Sequence, residues 1–420
     1  MQTSLVEPHR SSRDGSAADT ILRSCVHCGF CSATCPTYQI SGNELDSPRG
    51  RIYLIKQLLE GQAAGETARY HLDRCLSCRN CETTCPSGVR YSHLLDIGRR
   101  ALAQQQPRRW PQRLLYWMLR RLLPWQRGLA WGVTLARPLR RFLPSTIRAA
   151  LPPAQRPLPA AMIATPAVTE PTAPPPVATA ARRMLLLTSC GQQAVTPATN
   201  AAATRLLAKL GITLETVATA GCCGALSHHL EAEDEARRLA RRNIDAWLPL
   251  LDSGAEALLI TASGCGTQVR EYPQLLAEDS DYLPRAERIA AATRDLLEVV
   301  SVEAQDRIQP CGDQLPVAIH TPCSLQHGQS LGGRIEPLLE AAGYQLLPVA
   351  DSHLCCGSAG PYSLLQPTLA GALRQRKLSA LEAHQPVLIV TANVGCQMHL
   401  QSGTERPVRH WVELLEGAVV

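Results

Sequence analysis

Apolar positions recur at helical spacing in "SPRGRIYLIKQLLEG", where Ile52, Ile55, Leu58 and Leu59 fall on one face of a predicted helix. Ser47 supplies its N-cap, Pro48 its first turn and Gly61 its stop. A second helix is predicted from about Ser92 to Gln106. Further along, the pattern changes to short Val/Ile/Leu runs: "MLLLTSC", "ALLITASGC", "LPVAIHTPC" and "VLIVTANVGC". They alternate with helical patterns such as "EAEDEARRLARRNIDAWLPLL", whose acidic first turn and Glu233–Arg237 and Asp234–Arg238 pairs suit a surface helix. This alternation predicts parallel sheets of the α/β kind. No apolar run approaches the ~18 residues needed to span a bilayer.

The four runs order into an internal repeat. Two of them end in Cys190 and Cys323, and from each, 32 residues lead to a "CCG": Cys222-Cys223-Gly224 and Cys355-Cys356-Gly357. About 40 further residues lead to the runs ending in Cys265 and Cys396. Three of the four cysteines in each repeat thus sit at or beyond predicted strand ends, where open α/β sheets bind ligands. The expected organisation is a flexible N-terminus (1–20), a helical two-cluster domain (21–106), an Arg/Trp-rich segment (107–149), a Pro/Ala-rich linker (150–181), and α/β cysteine-rich repeats at 182–308 and 309–420.

With 420 residues, 45% hydrophobic and 19% charged, the chain reads as a globular protein of several domains. Only two Phe occur, so its cores must be aliphatic. Seventeen cysteines behind a polar N-terminus, "MQTSLVEPHRSSRDGSAADT", argue for metal ligands in a reducing cytoplasm rather than a secreted disulfide scaffold. The net charge of +6 is local. Thirteen arginines and no acidic residue lie between Asp96 and Glu170, leaving seven net negative charges elsewhere, which is not the signature of a nucleic-acid-binding fold. That basic segment holds Trp110, Trp117, Trp125 and Trp131 among leucines and is broken by Pro111, Pro124 and Pro138. Short amphipathic helices lying on an anionic membrane surface or on a partner subunit are expected.

The pattern C-x2-C-x2-C-x3-C-P occurs twice, as "CVHCGFCSATCP" (25–36) and "CLSCRNCETTCP" (75–86). Three thiolates at this spacing wrap one face of an iron–sulfur cubane, while the fourth, before proline, turns away to the other cluster. Cluster I then takes Cys25, Cys28, Cys31 and Cys85; cluster II takes Cys75, Cys78, Cys81 and Cys35. Paired structural zinc sites are the competing reading, but zinc ribbons use two CxxC pairs and a long spacer. In each repeat, a vicinal Cys-Cys and two cysteines from other strand ends would form a four-sulfur set. Its expected glycine role is to let the backbone approach a ligand. Cys190, Cys222, Cys223 and Cys265, and Cys323, Cys355, Cys356 and Cys396, are therefore candidates for a further cluster or metal, with redox dithiols or inherited structural thiols as the alternatives. Cys311 has no counterpart, and His228, His229, His320 and His353 are assigned no role. No dinucleotide or phosphate-loop pattern is found, so electrons are expected to enter from another protein.

Taken with their order, "ILRSCVHCGFCSATCPTYQ", "SPRGRIYLIKQ", "LDRCLSCRNCETTCPSGVRY", "AGCCGAL", "TASGCG", "DSHLCCGSAGPY" and "VTANVGCQMHL" resemble the iron–sulfur subunits of glycolate oxidase, an acceptor-linked glycolate dehydrogenase. The resemblance fails mainly in residues 107–181. It implies an electron-transfer subunit with two [4Fe–4S] clusters on the eight N-terminal cysteines. Flavin-binding partner subunits would oxidise glycolate to glyoxylate, and electrons would pass to the quinone pool or another membrane acceptor. The complex would sit peripherally on the cytoplasmic face of the inner membrane. Iron–sulfur subunits of glycerol-3-phosphate and lactate dehydrogenases share the architecture. Heterodisulfide reductase has five cysteines per related repeat, whereas each repeat here has four, with Ala262 or Gln268, and Asn393 or His399, at the remaining places.

Overall fold

A computed structural model describes residues 1–62, 65–125 and 182–420, with isolated positions between 128 and 157. Its N-terminal part is helical. Helices Arg13–Ser24, Pro48–Leu59, Gly65–Asp73 and Tyr91–Gln105 close around Leu22, Ile55, Leu58, Leu72, Leu94 and Leu95. The predicted face of Ile52, Ile55, Leu58 and Leu59 is the one buried, and the Ser47 hydroxyl caps its helix by accepting from the Gly50 N–H at 3.0 Å. The Tyr91–Gln105 helix crosses it so closely that a Cβ on Gly98 would lie 2.6 Å from Ile55. The expectation of a flexible segment 1–20 does not hold from Arg13 onward. Ser12 caps a helix there, and Ala18, Ile21 and Leu22 share its buried face, so a boundary at residue 20 cuts that apolar stripe in two.

Residues 182–420 carry two parallel four-stranded sheets with helices between their strands. β1 (Arg182–Leu187), β2 (Ile212–Thr216), β3 (Leu258–Ile260) and β4 (Thr293–Asp295) are ordered β2-β1-β3-β4. β5 (Pro316–His320), β6 (Gln345–Leu346), β7 (Leu388–Thr391) and β8 (Val408–His410) are ordered β6-β5-β7-β8. The apolar runs become the central strands, paired as Leu185 with Leu258 and Val317 with Leu388. Strand alternation divides their side chains between two cores. Met184 and Leu186 join Val317, Ile319, Val390 and Trp411 between the repeats, while Leu185 and Leu187 face Trp247 of the Glu233–Asp252 helix. On that helix Glu233 pairs with Arg237 at 3.0 Å as expected, but Asp234 also turns to Arg237, at 3.5 Å, instead of Arg238.

Polar contacts fix one repeat against the other. Ser263 and Ser324 share a hydrogen bond of 2.7 Å, and Gln329 donates to the Ser263 carbonyl at 3.1 Å and to Asp295 at 3.3 Å. The helical part docks through charge: Arg108 donates to Asp73 at 2.7 and 2.8 Å and to Glu231 at 2.9 Å, and Arg100 bridges Asp14 and Glu233. Of the Arg/Trp-rich segment, Trp110–Leu122 is one helix with Pro111 in its first turn, so this proline starts the helix rather than breaking it. Pro138 and nearly all of the linker 150–181 lie outside the described residues.

Burial pushes the Asp295 carboxyl up to about 7. A folded-state value above the unfolded one of 3.8 favours the protonated, folded form. Asp295 therefore adds stability that is complete below about pH 4 and lost as pH rises through about 7. Denaturant midpoints should fall across that window, and Asp295→Asn, which keeps the cap oxygen, should flatten the decline; an equally steep decline in the variant contradicts the assignment.

Candidate metal centres

The two cysteine loops share a backbone as well as a spacing. His27 and Gly29 in the first, and Ser77 and Arg79 in the second, hold positive φ at equivalent places. Left-handed geometry is unfavourable for Arg79. Its side chain forms an ion pair with Glu271 of the first repeat, so the strained position also ties this loop to the sheets.

One cavity is lined by Cys25, Cys28, Cys31 and Cys85 together with Cys81; a second is lined by Cys35, Cys75, Cys78 and Cys81. Each gathers thiols from both loops, and each contains the four cysteines grouped from the spacing. The donor chemistry fits a cationic guest. Burial, then the neighbouring Cys25 and Cys28 thiols, push Cys31 up to about 11, and burial with Cys78 and Cys75 drives Cys81 well above the ordinary thiol range. Crowded thiols without positive charge stay protonated; an iron–sulfur core supplies that charge and makes them thiolates.

A buried charge network backs the second cavity. Arg51 is 1% exposed and donates to the His71 carbonyl at 2.8 Å, to Thr37 at 3.1 Å and to Asp46 at 3.4 Å, with its remaining nitrogen 4.0 Å from Cys35 Sγ. Asp46, fully buried, also binds His71 at 2.8 Å and Arg74 at 3.2 Å. Tyr91 donates to Cys75 Sγ at 3.6 Å. Sequence reasoning missed these residues; the signal was an arginine inside the otherwise apolar face of "SPRGRIYLIKQLLEG".

A third cavity, of about 340 Å³, opens where the two repeats meet the second loop. Cys75 and Cys78 line it, as do Cys190, Cys222, Cys223 and Cys265 of the first repeat and Cys323, Cys355 and Cys396 of the second. Cys190 and Cys323 follow β1 and β5, and Cys265 and Cys396 follow β3 and β7. These strands flank the point where strand order reverses, the ligand-binding crevice of such sheets. Within the first repeat Cys190 donates to Cys222 at 3.8 Å, a bond that pulls Cys222 down and pushes Cys190 up, while Ser189 lies 3.3 Å from Cys265. Within the second, hydrogen bonds to Cys355 and to Cys78 of the helical part push Cys323 up. Cys356 lies outside the cavity lining. The CCG glycines are left-handed, with φ of 88° and 91°, but a Cβ on Gly357 would meet the Ala370 carbonyl at 2.8 Å. The close approach that Gly357 permits is to a helix, whereas a Cβ on Gly224 would meet the Ala236 carbonyl at 3.4 Å, an ordinary contact. His228 and His229 line the same cavity, and His228 pairs with Asp96 at 3.3 Å. Against the upward push of burial, His228 holds the Asp96 carboxyl below its ordinary range.

Residues 21–89 match the family model of the 4Fe-4S dicluster domain, and residues 184–270 and 317–401 match that of the cysteine-rich domain. The chain is 48% identical to the "Glycolate oxidase iron-sulfur subunit" of Escherichia coli (strain K12), over 100% of this chain and 99% of that protein. It is 31% identical to the "Probable glycolate oxidase iron-sulfur subunit" of Bacillus subtilis (strain 168), over 92% and 89% of the two chains. "Lactate utilization protein A" of Anoxybacillus flavithermus is 25% identical across 51% of this chain and 90% of its own length.

Arg51→Met leaves Asp46 buried with one cation fewer and should cost about 3–5 kcal/mol, the penalty of breaking a buried pair. Chemical denaturation measures it, with Arg51→Lys recovering part of the loss; an unchanged midpoint in Arg51→Met shows that the network is dispensable.

Proposed function

The chain belongs to the family of glycolate oxidase iron–sulfur subunits, and on that premise we propose that it carries electrons away from glycolate oxidation. A flavin-binding partner subunit converts glycolate to glyoxylate, and this chain takes the electrons on toward the respiratory quinone pool. The pair of cavities lined by thiols from both loops supports the reading. We assign Cys25, Cys28, Cys31 and Cys85 to one [4Fe–4S] cluster and Cys35, Cys75, Cys78 and Cys81 to the other. Bound there, such clusters accept and release one electron at a time. The chain's own residues exclude water and set the local charge: Arg51 places a cation beside Cys35, and Tyr91 donates to Cys75. Both features favour the reduced, more negative state.

We place the complex peripherally on the cytoplasmic face of the inner membrane. Among the described residues no helix is long and apolar enough to cross a membrane. The Trp110–Leu122 helix, however, exposes Trp110, Leu114, Leu115, Trp117 and Leu122, and is held to the first repeat by Arg120 on Glu235 at 3.1 Å. Exposed tryptophans and leucines next to Arg113 and Arg121 suit the interface of an anionic bilayer.

In the assembled complex, Cys28→Ser and Cys81→Ser should each abolish glycolate-dependent dye reduction while the partner keeps its flavin. Full activity in either variant overturns the relay reading. Sedimentation with vesicles containing anionic phospholipid tests the membrane reading: binding should weaken with salt and fall in the double variant Leu114→Glu, Trp117→Glu. Unaltered sedimentation in that variant rules out this helix as the contact.

A further inference from the structure

Among the buried differences between the two repeats, one introduces a histidine beside the cysteines. β5 ends in His320, three residues before Cys323; the equivalent place before Cys190 is Leu187. Alternation sends His320 to the same face as Ala318, which packs with Cys356, Cys396, Leu378 and Ile389. The imidazole is 1% exposed, and neither of its nitrogens has a hydrogen-bond partner. Leaving a buried polar group unpaired costs about 1–3 kcal/mol. A ring nitrogen of His320 and the Sγ atoms of Cys356 and Cys396 all lie within 4.8 Å of one another, and all three residues are buried.

We propose that His320, Cys356 and Cys396 bind a single zinc-type divalent ion, distinct from the iron–sulfur clusters of the helical part. Two thiolates, one neutral imidazole and one dication sum to zero charge, which is what a fully buried site requires. Soft sulfur with one imidazole is a donor set that zinc favours, and the three side chains provide three corners of a tetrahedron. At bond lengths of about 2.3 Å to sulfur and about 2.0 Å to nitrogen, ligand atoms sit under 4 Å apart, so the side chains need only a small contraction.

The surroundings agree. Asn393 donates to Cys396 Sγ at 3.7 Å, an outer contact that orients a thiolate. The competing cations and histidine are engaged elsewhere: Lys377 donates to the Asp351 and Ser352 carbonyls at 2.7 and 3.3 Å, and His399 reaches the Ala370 carbonyl at 3.2 Å. In the first repeat Leu187 stands in the place of His320 and offers no donor atom beside Cys223 and Cys265. The ion is therefore specific to the second repeat.

The full chain, purified anaerobically with its iron and sulfide complete, should contain about one zinc. Zinc X-ray absorption should show two sulfurs at about 2.3 Å and at least one nitrogen at about 2.0 Å. His320→Leu copies the first repeat and should lose zinc at least about tenfold with iron and sulfide unchanged. Absence of zinc from the wild-type chain after reconstitution with zinc chloride, an all-sulfur shell, or zinc retained in the variant overturns the proposal. So does loss of iron and sulfide in His320→Leu, which would put the imidazole on an iron–sulfur cluster. The wild-type spectrum decides even if the variant does not fold. Neither result bears on glycolate-dependent reduction, so this site and the relay reading stand or fall separately.

Discussion

Everything in the helical part serves one demand, that thiols from loops fifty residues apart meet in the same two cavities. Sulfurs brought that close and out of water repel once ionised, so the frame must be stiff before any guest contributes charge. Stiffness comes from four closely packed helices, as at the missing Cβ of Gly98 against Ile55. Charge balance comes from Arg51, held by Asp46, Thr37 and a carbonyl so that its last nitrogen points at Cys35. Neither ion of that group is exposed, and each is satisfied by several partners, the condition under which a buried charge persists.

The sheets answer a different need. Two copies of one topology, joined back to back through Met184, Leu186, Val317 and Val390, aim the ends of their central strands at a common space. The second cysteine loop closes that space through the Arg79–Glu271 pair and through Asn80, which donates to the Thr34 carbonyl at 3.1 Å and to that of His353 at 3.2 Å. Duplication gave both repeats the same sulfur pattern, but the residues behind the sulfurs have diverged. Ser189 faces Cys265 in one; His320 faces Cys356 and Cys396 in the other.

Much of this was legible because it is periodic. Strand runs, the capped helix at Ser47 and the two four-cysteine motifs repeat at short intervals, and each obeys a local rule. The failures were non-local. The N-terminal helix was missed because its polar residues outnumber the stripe of Ala18, Ile21 and Leu22, which shows only against the helices it packs on. Arg51 and His320 looked like surface or incidental residues because nothing in the neighbouring sequence declares a partner. Arg51 finds His71 twenty residues away; His320 finds Cys396 across the sheet. The CCG glycine was legible as a conformational requirement, yet what it makes room for, the Ala370 carbonyl, depends on a helix ten residues further on.

Cys75 and Cys78 form part of the wall of two compartments, their own thiol-lined cavity and the large one beneath the sheets. A shared wall makes the contents of the two rooms thermodynamically reciprocal. A charge bound in the large cavity that shifted the electron affinity of a cluster on Cys75 and Cys78 would itself be held more or less tightly, by the same free energy, after each added electron. Any coupling across this loop would therefore show itself twice, once in redox poise and once in ligand occupancy.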